Sequence, residues 1–322
     1  MLRVNLLIHV HTVGLRRDLD VFRRALHGLP VHLSVTAFDP AWRPRLVRGL
    51  RRATGILSRK PTYDVNLFVE EIVEGWIPLA RVNCLVPHQE WFSDETRALV
   101  PRMNWIVCKS QFAVQMFQSF APRTAFTGFT TLDRYDPSVA KDYNACLHVA
   151  GTSLQKGTYT INEVWLRHPR WPLLNLHWTE PTARPVPGPN VRCETSFVDE
   201  RTLRKIQNRC GIHLCPSEAE GFGHYLVEAM SSAAVVITTD APPMNELVRP
   251  ERGVLAGYNR QAPQGAGMNY YVDPARLEEA VERVLAMSPA ERERLGKNAR
   301  EWFLENDRLF RQRLWEVLQG MV

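Results

Sequence analysis

The sequence predicts an α/β protein with two doubly wound parallel sheets, and three observations lead to this fold class. The chain has 322 residues, which is long enough for two domains of ordinary size. Short apolar runs alternate with helical patterns along it, as buried parallel strands and their crossover helices do. A segment rich in Thr, Asp and Pro, residues 128–142, interrupts the alternation, and a new strand follows it. We therefore predict two domains, residues 1–142 and 143–305, and a C-terminal helix, residues 306–322, that packs back toward the first domain.

The elements of the first domain follow in order from these patterns. Residues 4–10 form a nearly continuous apolar run, which indicates a strand covered on both faces. A loop that contains Gly14 and a helix come next, and four further strands and a second helix complete the domain. We predict the helices at residues 18–26 and 110–120, and the strands at residues 31–38, 65–69, 82–86 and 105–108.

The second domain repeats the alternation. We predict strands at residues 145–150, 173–178, 211–215 and 235–239, and helices at residues 158–167, 200–208 and 223–232. Three further helices follow toward the end of the chain, at residues 274–286, 289–306 and 308–319. The start of the second of these is well marked, because Ser288 is a good N-cap and Pro289 suits the first helical position.

Composition and cysteine usage exclude several classes of protein. Apolar residues make up 45% of the chain and charged residues 23%, as in globular enzymes. No apolar run approaches the roughly 20 residues that cross a bilayer, and the first ten residues resemble a strand rather than a signal peptide. The six cysteines form no Cys-x-x-Cys pair, which predicts free thiols in a reducing compartment and no structural zinc site. These features predict a cytoplasmic location.

The most informative segment is residues 216–230. Glu220 and Glu228 stand eight positions apart, and a Gly-Phe-Gly turn that ends at Gly223 lies between them. An apolar run precedes the turn and a helical pattern follows it, so backbone N–H groups and the positive end of the helix dipole point to one place. Such a place suits a phosphate, and two carboxylates beside it suit hydroxyl groups, which together suggest a nucleotide-sugar. Alternatively, the glycines serve tight packing and the first carboxylate only caps the helix.

This segment resembles the Glu-x7-Glu signature of the retaining glycosyltransferases of the GT-B fold, glycosyltransferase family four. Residues 146–157 resemble the strand and Lys-Gly turn that open the donor domain of that family, residues 238–248 the segment that closes the donor pocket, and residues 127–137 the interdomain linker. The resemblance implies two Rossmann-type domains that face each other across a cleft. It also implies transfer of a sugar, with retention, from a UDP- or GDP-linked donor to an acceptor hydroxyl, with no tightly bound cofactor.

The resemblance further implies roles for single residues in donor binding. Lys156 meets the donor diphosphate, unless it is only a solvated lysine at a turn. Glu220 contacts the sugar hydroxyls and Glu228 the ribose hydroxyls. The remaining donor-binding residues are the backbone N–H groups of Phe222, Gly223 and His224, then Thr152 at the phosphates, Gly14 in the first loop, and Phe197 against the nucleobase. For Phe197, packing in the core is the alternative.

Two departures from the family pattern affect the donor. Gly151 stands where many relatives carry an arginine, so hydrogen bonds from Thr152 and Ser153 must bind phosphate, or another basic group must supply the charge: Arg16, Arg17 or Lys109. His224 and Tyr225 replace the usual apolar residue and proline, which leaves the identity of the donor sugar open.

A histidine of the first domain completes the predicted catalytic set of Glu220, Lys156 and His88. Many relatives place a histidine near the reacting sugar, and His88 follows a predicted strand; His9 and His11 are rival candidates. No metal ion is expected. The only Asp-x-Asp motif, at residues 18–20, lies in a helical pattern, and we interpret it as a solvated helix face or a cap.

The net charge of +6 arises in the first 145 residues, which hold 19 basic and 13 acidic side chains. Residues 41–60 contain seven basic residues and no acidic one, with leucines at helical spacing. We predict a basic surface that binds an anionic partner, formed by Arg45, Arg48, Arg51 and Arg52. It binds either a membrane or cell-surface glycan acceptor, which would put the protein on the inner membrane face, or the phosphates of a nucleic-acid acceptor such as hydroxylated DNA bases. A solvated arginine-rich loop is the third interpretation.

A glycosyltransferase is therefore the leading functional hypothesis. A sugar-nucleotide epimerase of similar two-domain fold is a second enzyme class, but no matching motif is present. A non-catalytic nucleotide-sugar-binding protein is a third possibility, because the missing arginine weakens the argument for catalysis. The native acceptor and the oligomeric state do not follow from the sequence.

Overall fold

A computed structural model describes residues 1–38, 61–119 and 123–322. The chain forms two compact units, Met1–Leu132 with Asn306–Val322, and Asp133–Glu305. The predicted basic surface for an anionic partner lies outside the described residues; its four arginines are Arg45, Arg48, Arg51 and Arg52. Within the described residues, no helix combines the length and the apolar character needed to cross a membrane.

The first unit contains a sheet of six parallel strands in the order β2-β1-β3-β4-β5-β6. The strands are β1 Leu2–His9, β2 Val31–Phe38, β3 Tyr63–Val69, β4 Ala80–Val86, β5 Trp105–Cys108 and β6 Thr124–Phe126. The helices are α1 Val13–Leu26, α2 Asp94–Leu99 and α3 Gln111–Phe117, with 3₁₀ turns at Glu74–Leu79, Gln89–Trp91 and Val100–Arg102. Because the chain moves to opposite sides of β1, the topological switch point lies between β1 and β3.

The sequence explains how this unit folds. The strand predicted at residues 4–10 is buried on both faces: Val4, Leu6 and Ile8 on one face have no exposed surface, and Leu7 on the other is 1% exposed. Thr12 caps α1 by accepting a hydrogen bond from Leu15 N at 3.1 Å. The helix therefore starts earlier than predicted, and Gly14 lies in its first turn rather than in a loop. A Cβ at Gly14 would meet only Thr12 Oγ1, at 3.9 Å, so space does not require glycine there.

The second unit contains a second parallel sheet in the order β12-β11-β10-β7-β8-β9. Its strands are β7 Asp142–Gly151, β8 Leu173–Trp178, β9 Val191–Glu194, β10 Cys210–Cys215, β11 Val235–Thr239 and β12 Val254–Ala256, and an antiparallel hairpin follows, β13 Tyr258–Gln264 and β14 Gly267–Val272. The helices are α4 Thr158–Arg167, α5 Glu200–Arg209, α6 His224–Ser231, α7 Met244–Leu247, α8 Pro274–Ala286 and α9 Pro289–Gln319. The predicted fold class, α/β with two doubly wound sheets, is confirmed.

The C-terminal helices differ from the prediction. Residues 289–319 form one continuous helix, α9, where two helices were predicted. The end of this helix completes the core of the first unit, because the Phe310 ring lies 4.9 Å from that of Phe129 and 6.4 Å from that of Phe22. Asn306 Nδ2 also donates to the carbonyl of Phe129 at 2.7 Å.

Candidate functional site

The loops after β7 and β10 meet at the switch point of the second sheet. These two strands are neighbours, yet β8 and β9 extend the sheet on one side and β11 and β12 on the other. In sheets of this type, ligands bind beyond the carboxyl ends of the strands at that point. The two loops, residues 152–157 and 216–223, carry Lys156 and Glu220, which the sequence had placed 64 positions apart.

Lys156 and Glu220 form a direct ion pair. Their side chains are 17% and 9% exposed. Ser217 Oγ donates to Glu220 Oε1 at 2.5 Å, and the Lys156 ammonium lies 4.2 Å from the centre of the Tyr225 ring. The Tyr225 hydroxyl in turn lies 2.5 Å from Ser217 Oγ. Lys156 is thus a paired, largely buried cation, so the alternative of a solvated lysine at a turn is wrong.

Glycine is required at the start of both helices that follow these loops. Gly157 has a φ of +66°, and a Cβ there would lie 2.5 Å from the carbonyl oxygen of Pro216. Gly223 has a φ of +104°. They are the N-cap residues of α4 and α6. Since glycine brings no side chain to cap the helix, both helices direct their first N–H groups and the positive end of their dipoles toward the loops.

The side chain of Glu228 is hydrogen-bonded to α5. It is 4% exposed, and Gln207 Nε2 donates to its Oε2 at 3.0 Å. Gln207 Oε1 accepts from Arg134 Nε at 2.7 Å, and Arg134 also pairs with Glu200. Gln207 and Arg134 were not predicted from the sequence, because their roles depend on packing between distant segments.

The remaining predicted donor residues differ in exposure. Phe197 is 85% exposed, so the alternative that it packs in the core is wrong. Thr152 is exposed at the end of β7, and Phe222 is 4% exposed with its ring 5.5 Å from that of His224. Beside them, burial raises the pKa of Glu218 to about 7, against the charge of Arg260.

A second group of charged residues lies in the first unit, beyond the carboxyl ends of β3, β4 and β5. Asp18 Oδ2 is 2.6 Å from Lys109 Nζ and 3.1 Å from His88 Nε2. His88 Nδ1 is 2.5 Å from Glu70 Oε2. Lys109 also lies 2.6 Å from His88 Nε2 and 4.1 Å from the centre of the Phe129 ring. We call Asp18, Glu70, His88 and Lys109 the buried charge cluster.

The buried charge cluster corrects two expectations. Asp18 is 1% exposed, so the interpretation of residues 18–20 as a solvated face or cap is wrong at that residue. Its burial requires a cationic partner, which Lys109 supplies. Lys109 is 3% exposed and is engaged with Asp18, so it is not a solvent-accessible cation available for a diphosphate.

The cluster is electrically neutral when His88 carries a proton. Burial and the Lys109 ammonium act to lower the pKa of His88, but its hydrogen bonds to Asp18 and Glu70 outweigh them and raise it to about 9. Burial acts against the charge of Glu70, yet the hydrogen bond and the charge of His88 lower the pKa of that carboxyl. Two cations then balance two carboxylates. Of the rival histidines, His9 lies 3.2 Å from Glu71 and stacks on Phe38.

Among the described residues, one group has the composition of a metal site. His168, Glu278 and Glu282 bring one ligand atom each within 4.8 Å of one another. His168 Nε2 already lies 2.9 Å from Glu278 Oε1, and Arg167 Nη2 lies 3.3 Å from Glu278 Oε2. Arg167 and His168 already pair with Glu278, so these contacts are explained as an ion-pair network between α8 and the end of α4.

Comparison with known proteins agrees with this geometry. Residues 193–302 match the family model described as Glycosyl transferases group 1, a stretch that contains Glu220 and Glu228 but not Lys156. No curated protein sequence matches the chain. Among solved structures, HepE from Anabaena in complex with UDP and glucose has a TM-score of 0.71 at 14% identity, and the match covers 99% of this chain and 100% of that one. The fold is GT-B.

Two further structures extend the comparison. Sucrose-phosphate synthase from Thermosynechococcus elongatus has a TM-score of 0.74 at 16% identity, over 100% of this chain and 99% of that one. A glycosyltransferase from Rickettsia africae has a TM-score of 0.74 at 10% identity, over 99% of this chain and 98% of that one. These structural matches involve both units, while the sequence match to glycosyltransferases lies in the second unit.

Proposed function

We propose that the protein is a retaining glycosyltransferase of family-four type that moves a sugar from a nucleoside-diphosphate sugar to an acceptor hydroxyl. The Lys156–Glu220 pair carries this proposal, because it lies between two glycine-capped helix N-termini at the switch point of the second sheet. A diphosphate needs the cation and the helix termini, and a sugar needs the carboxylate. The group 1 match and the UDP-bound structure of HepE support the same donor class.

The pair also suggests how the donor enters. In the structure Lys156 and Glu220 bind each other, so a donor replaces one ion pair by two contacts: the diphosphate takes Lys156 and a sugar hydroxyl takes Glu220. Glu228 then holds the ribose hydroxyls and exposed Phe197 stacks on the base. Thr152 and the backbone N–H groups of the turn, from Phe222 to His224, complete the phosphate contacts.

The chemical step follows from these contacts. The bond between the sugar and the diphosphate oxygen breaks, and a new bond forms from the acceptor oxygen on the same face. The leaving phosphate takes the proton of the acceptor hydroxyl. Lys156 and the two helix termini stabilise the negative charge that develops on the diphosphate.

A panel of UDP-, GDP- and other activated sugars tests the donor proposal. We expect at least one donor to raise the unfolding temperature and to be hydrolysed slowly without an acceptor. Hydrolysis should persist in EDTA, because Lys156 and the helix dipoles supply the charge that a divalent ion supplies elsewhere. Failure of every donor to bind would overturn the proposal, and binding without hydrolysis or transfer would indicate a non-catalytic nucleotide-sugar-binding protein.

Two predictions in the first unit stay predictions: His88 as a catalytic residue near the reacting sugar, and Gly14 as a donor-binding residue. Both ring nitrogens of His88 already have partners in the buried charge cluster, so a contact with the sugar requires the ring to exchange one of them. Gly14 is exposed in the first turn of α1, beside the switch point of the first sheet.

The acceptor is proposed to be a lipid or a cell-surface glycan, reached from the cytoplasmic face of the membrane. The support is the basic segment with Arg45, Arg48, Arg51 and Arg52. We expect the protein to bind vesicles that contain anionic lipid, and salt to weaken that binding. Replacing the four arginines by glutamine should abolish it, in co-sedimentation with neutral vesicles as control. Salt-sensitive binding to duplex DNA instead would favour the nucleic-acid acceptor, and binding to neither would leave a solvated loop.

A further inference from the structure

The chain leaves the parallel sheet after β12 and forms the β13–β14 hairpin before α8 begins. Asp273 N donates to Gly257 O at 2.9 Å and closes the base of the hairpin. The first four residues of β13 are exposed, whereas Asn269 and Tyr270 of β14 are 7% and 8% exposed. One strand therefore faces solvent and the other is packed against the unit.

The packed strand, β14, is hydrogen-bonded to both loops of the candidate site, residues 152–157 and 216–223. Tyr270 N donates to Glu218 O at 2.7 Å. Gln155 Nε2 donates to Asn269 Oδ1 at 3.2 Å. Glu218 N donates to Gln155 O at 2.9 Å, so the two loops and β14 form one hydrogen-bonded group.

The direction of the N–H groups of β14 explains how this strand can bind the hairpin and the loop after β10 at the same time. In an antiparallel strand, successive N–H groups point alternately to the partner strand and away from it. Tyr270 pairs in register with Gln261, yet its N–H bonds to Glu218 outside the hairpin. The edge of β14 that faces away from β13 thus hydrogen-bonds the loop after β10.

The loop residues that contact β14 are close in the chain to the two residues of the Lys156–Glu220 pair. Gln155 precedes Lys156 directly. Glu218 follows Ser217, which hydrogen-bonds Glu220, and stands two positions before Glu220 itself. A shift of these loops by about 1 Å is enough to cost about 100-fold in rate at a catalytic site.

We infer that the β13–β14 hairpin is a positioning element of the donor site, in which Asn269 and Tyr270 hold Lys156 and Glu220 in the geometry that receives the donor. The inference rests on the proposed function, since it concerns that same site. Asn269 and Tyr270 touch the loops rather than the donor, so they are positioning residues. The hairpin contacts the two loops through β14, while the first four residues of β13 are exposed.

Four variants test this role with the donor that the wild-type protein hydrolyses. Asn269→Leu removes the acceptor for Gln155, and Tyr270→Pro removes the N–H that Glu218 accepts. Asn269→Asp keeps an acceptor oxygen and serves as the conservative rescue. Asn259→Ala, at an exposed residue of β13, is the matched control on the same hairpin. The measurements are kcat and KM for donor hydrolysis and the unfolding temperature of each variant.

We expect Asn269→Leu and Tyr270→Pro to lower kcat at least 10-fold with a smaller change in KM, while Asn269→Asp and Asn259→Ala stay close to wild type. Asn269→Leu with wild-type kcat and KM would overturn the inference. So would equal losses in Asn269→Asp and Asn269→Leu, because a role in stability alone does not depend on the acceptor oxygen. A wild-type protein that neither binds nor hydrolyses any donor would instead overturn the proposed function.

Discussion

Replacing Lys156 by methionine is expected to lower donor hydrolysis by about 10²–10³-fold, which is the typical effect of removing one preorganised group that stabilises a developing negative charge. Methionine keeps most of the packing against Tyr225 and removes only the charge. Glu220→Gln keeps an acceptor for Ser217 and removes the carboxylate that a sugar hydroxyl would contact. It should lower kcat by a similar factor.

The control for this experiment is Lys205→Met, which removes an exposed lysine on α5 of the same unit. It should leave hydrolysis and the unfolding temperature unchanged. Because Lys156 and Glu220 act on one donor, the double variant Lys156→Met/Glu220→Gln should lose less than the product of the two single losses. Full activity in Lys156→Met or in Glu220→Gln would show that the donor site lies elsewhere.

The local parts of this site could be predicted from the sequence. The turn before each helix needs a residue with left-handed backbone, which glycine adopts readily. The adjacent residues Lys156 and Gly157, and the Gly221–Gly223 turn, carry that signal. Ser217 was not predicted, nor was the contact of Tyr225 with Lys156, because each depends on a partner that only the folded state brings near. Nor was the hairpin, since residues 259–267 are rich in Asn, Gln, Gly and Pro, which are typical of turns rather than strands.

Asp18 shows a signal that was present and overlooked. Leu15, Leu19 and Phe22 form the buried face of α1, and Asp18 stands three residues after Leu15 and four before Phe22, on that same face. Helical spacing therefore indicates burial of a carboxylate. Its partners could not be predicted, because Lys109 and His88 come from strand ends 91 and 70 positions away in the chain.

Burial of Asp18 leads to the largest expected effect on stability. Asp18→Leu should destabilise the first unit by about 3–5 kcal/mol, because it leaves the Lys109 side chain, which is 1% exposed, without the carboxylate that pairs with it. The double variant Asp18→Leu/Lys109→Met removes both charges and should recover part of that loss. Asp20→Ala is the matched control on the same helix, since Asp20 is 53% exposed and its pair with Arg23 is worth at most about 1 kcal/mol.

Denaturant unfolding followed by a probe of the first unit measures these changes. An Asp18→Leu variant as stable as Asp20→Ala would show that the cluster is not dry enough for its charges to matter. A double variant less stable than Asp18→Leu would show that Lys109 contributes through its packing on Phe129 rather than through its charge.

The protonation of His88 adds a pH dependence whose sign can be worked out. The pKa of His88 is raised to about 9 in the folded protein, against about 6.5 in an unfolded chain. The folded state therefore holds the proton more tightly, so this contribution is complete below pH 6.5 and is lost as the pH rises through 9. Lys141 in the second unit has the opposite effect, because burial lowers its pKa to about 8. The difference in stability between wild type and His88→Gln isolates the cluster. It should shrink from pH 6.5 to pH 9, and a constant difference would mean that folding does not raise the pKa of His88.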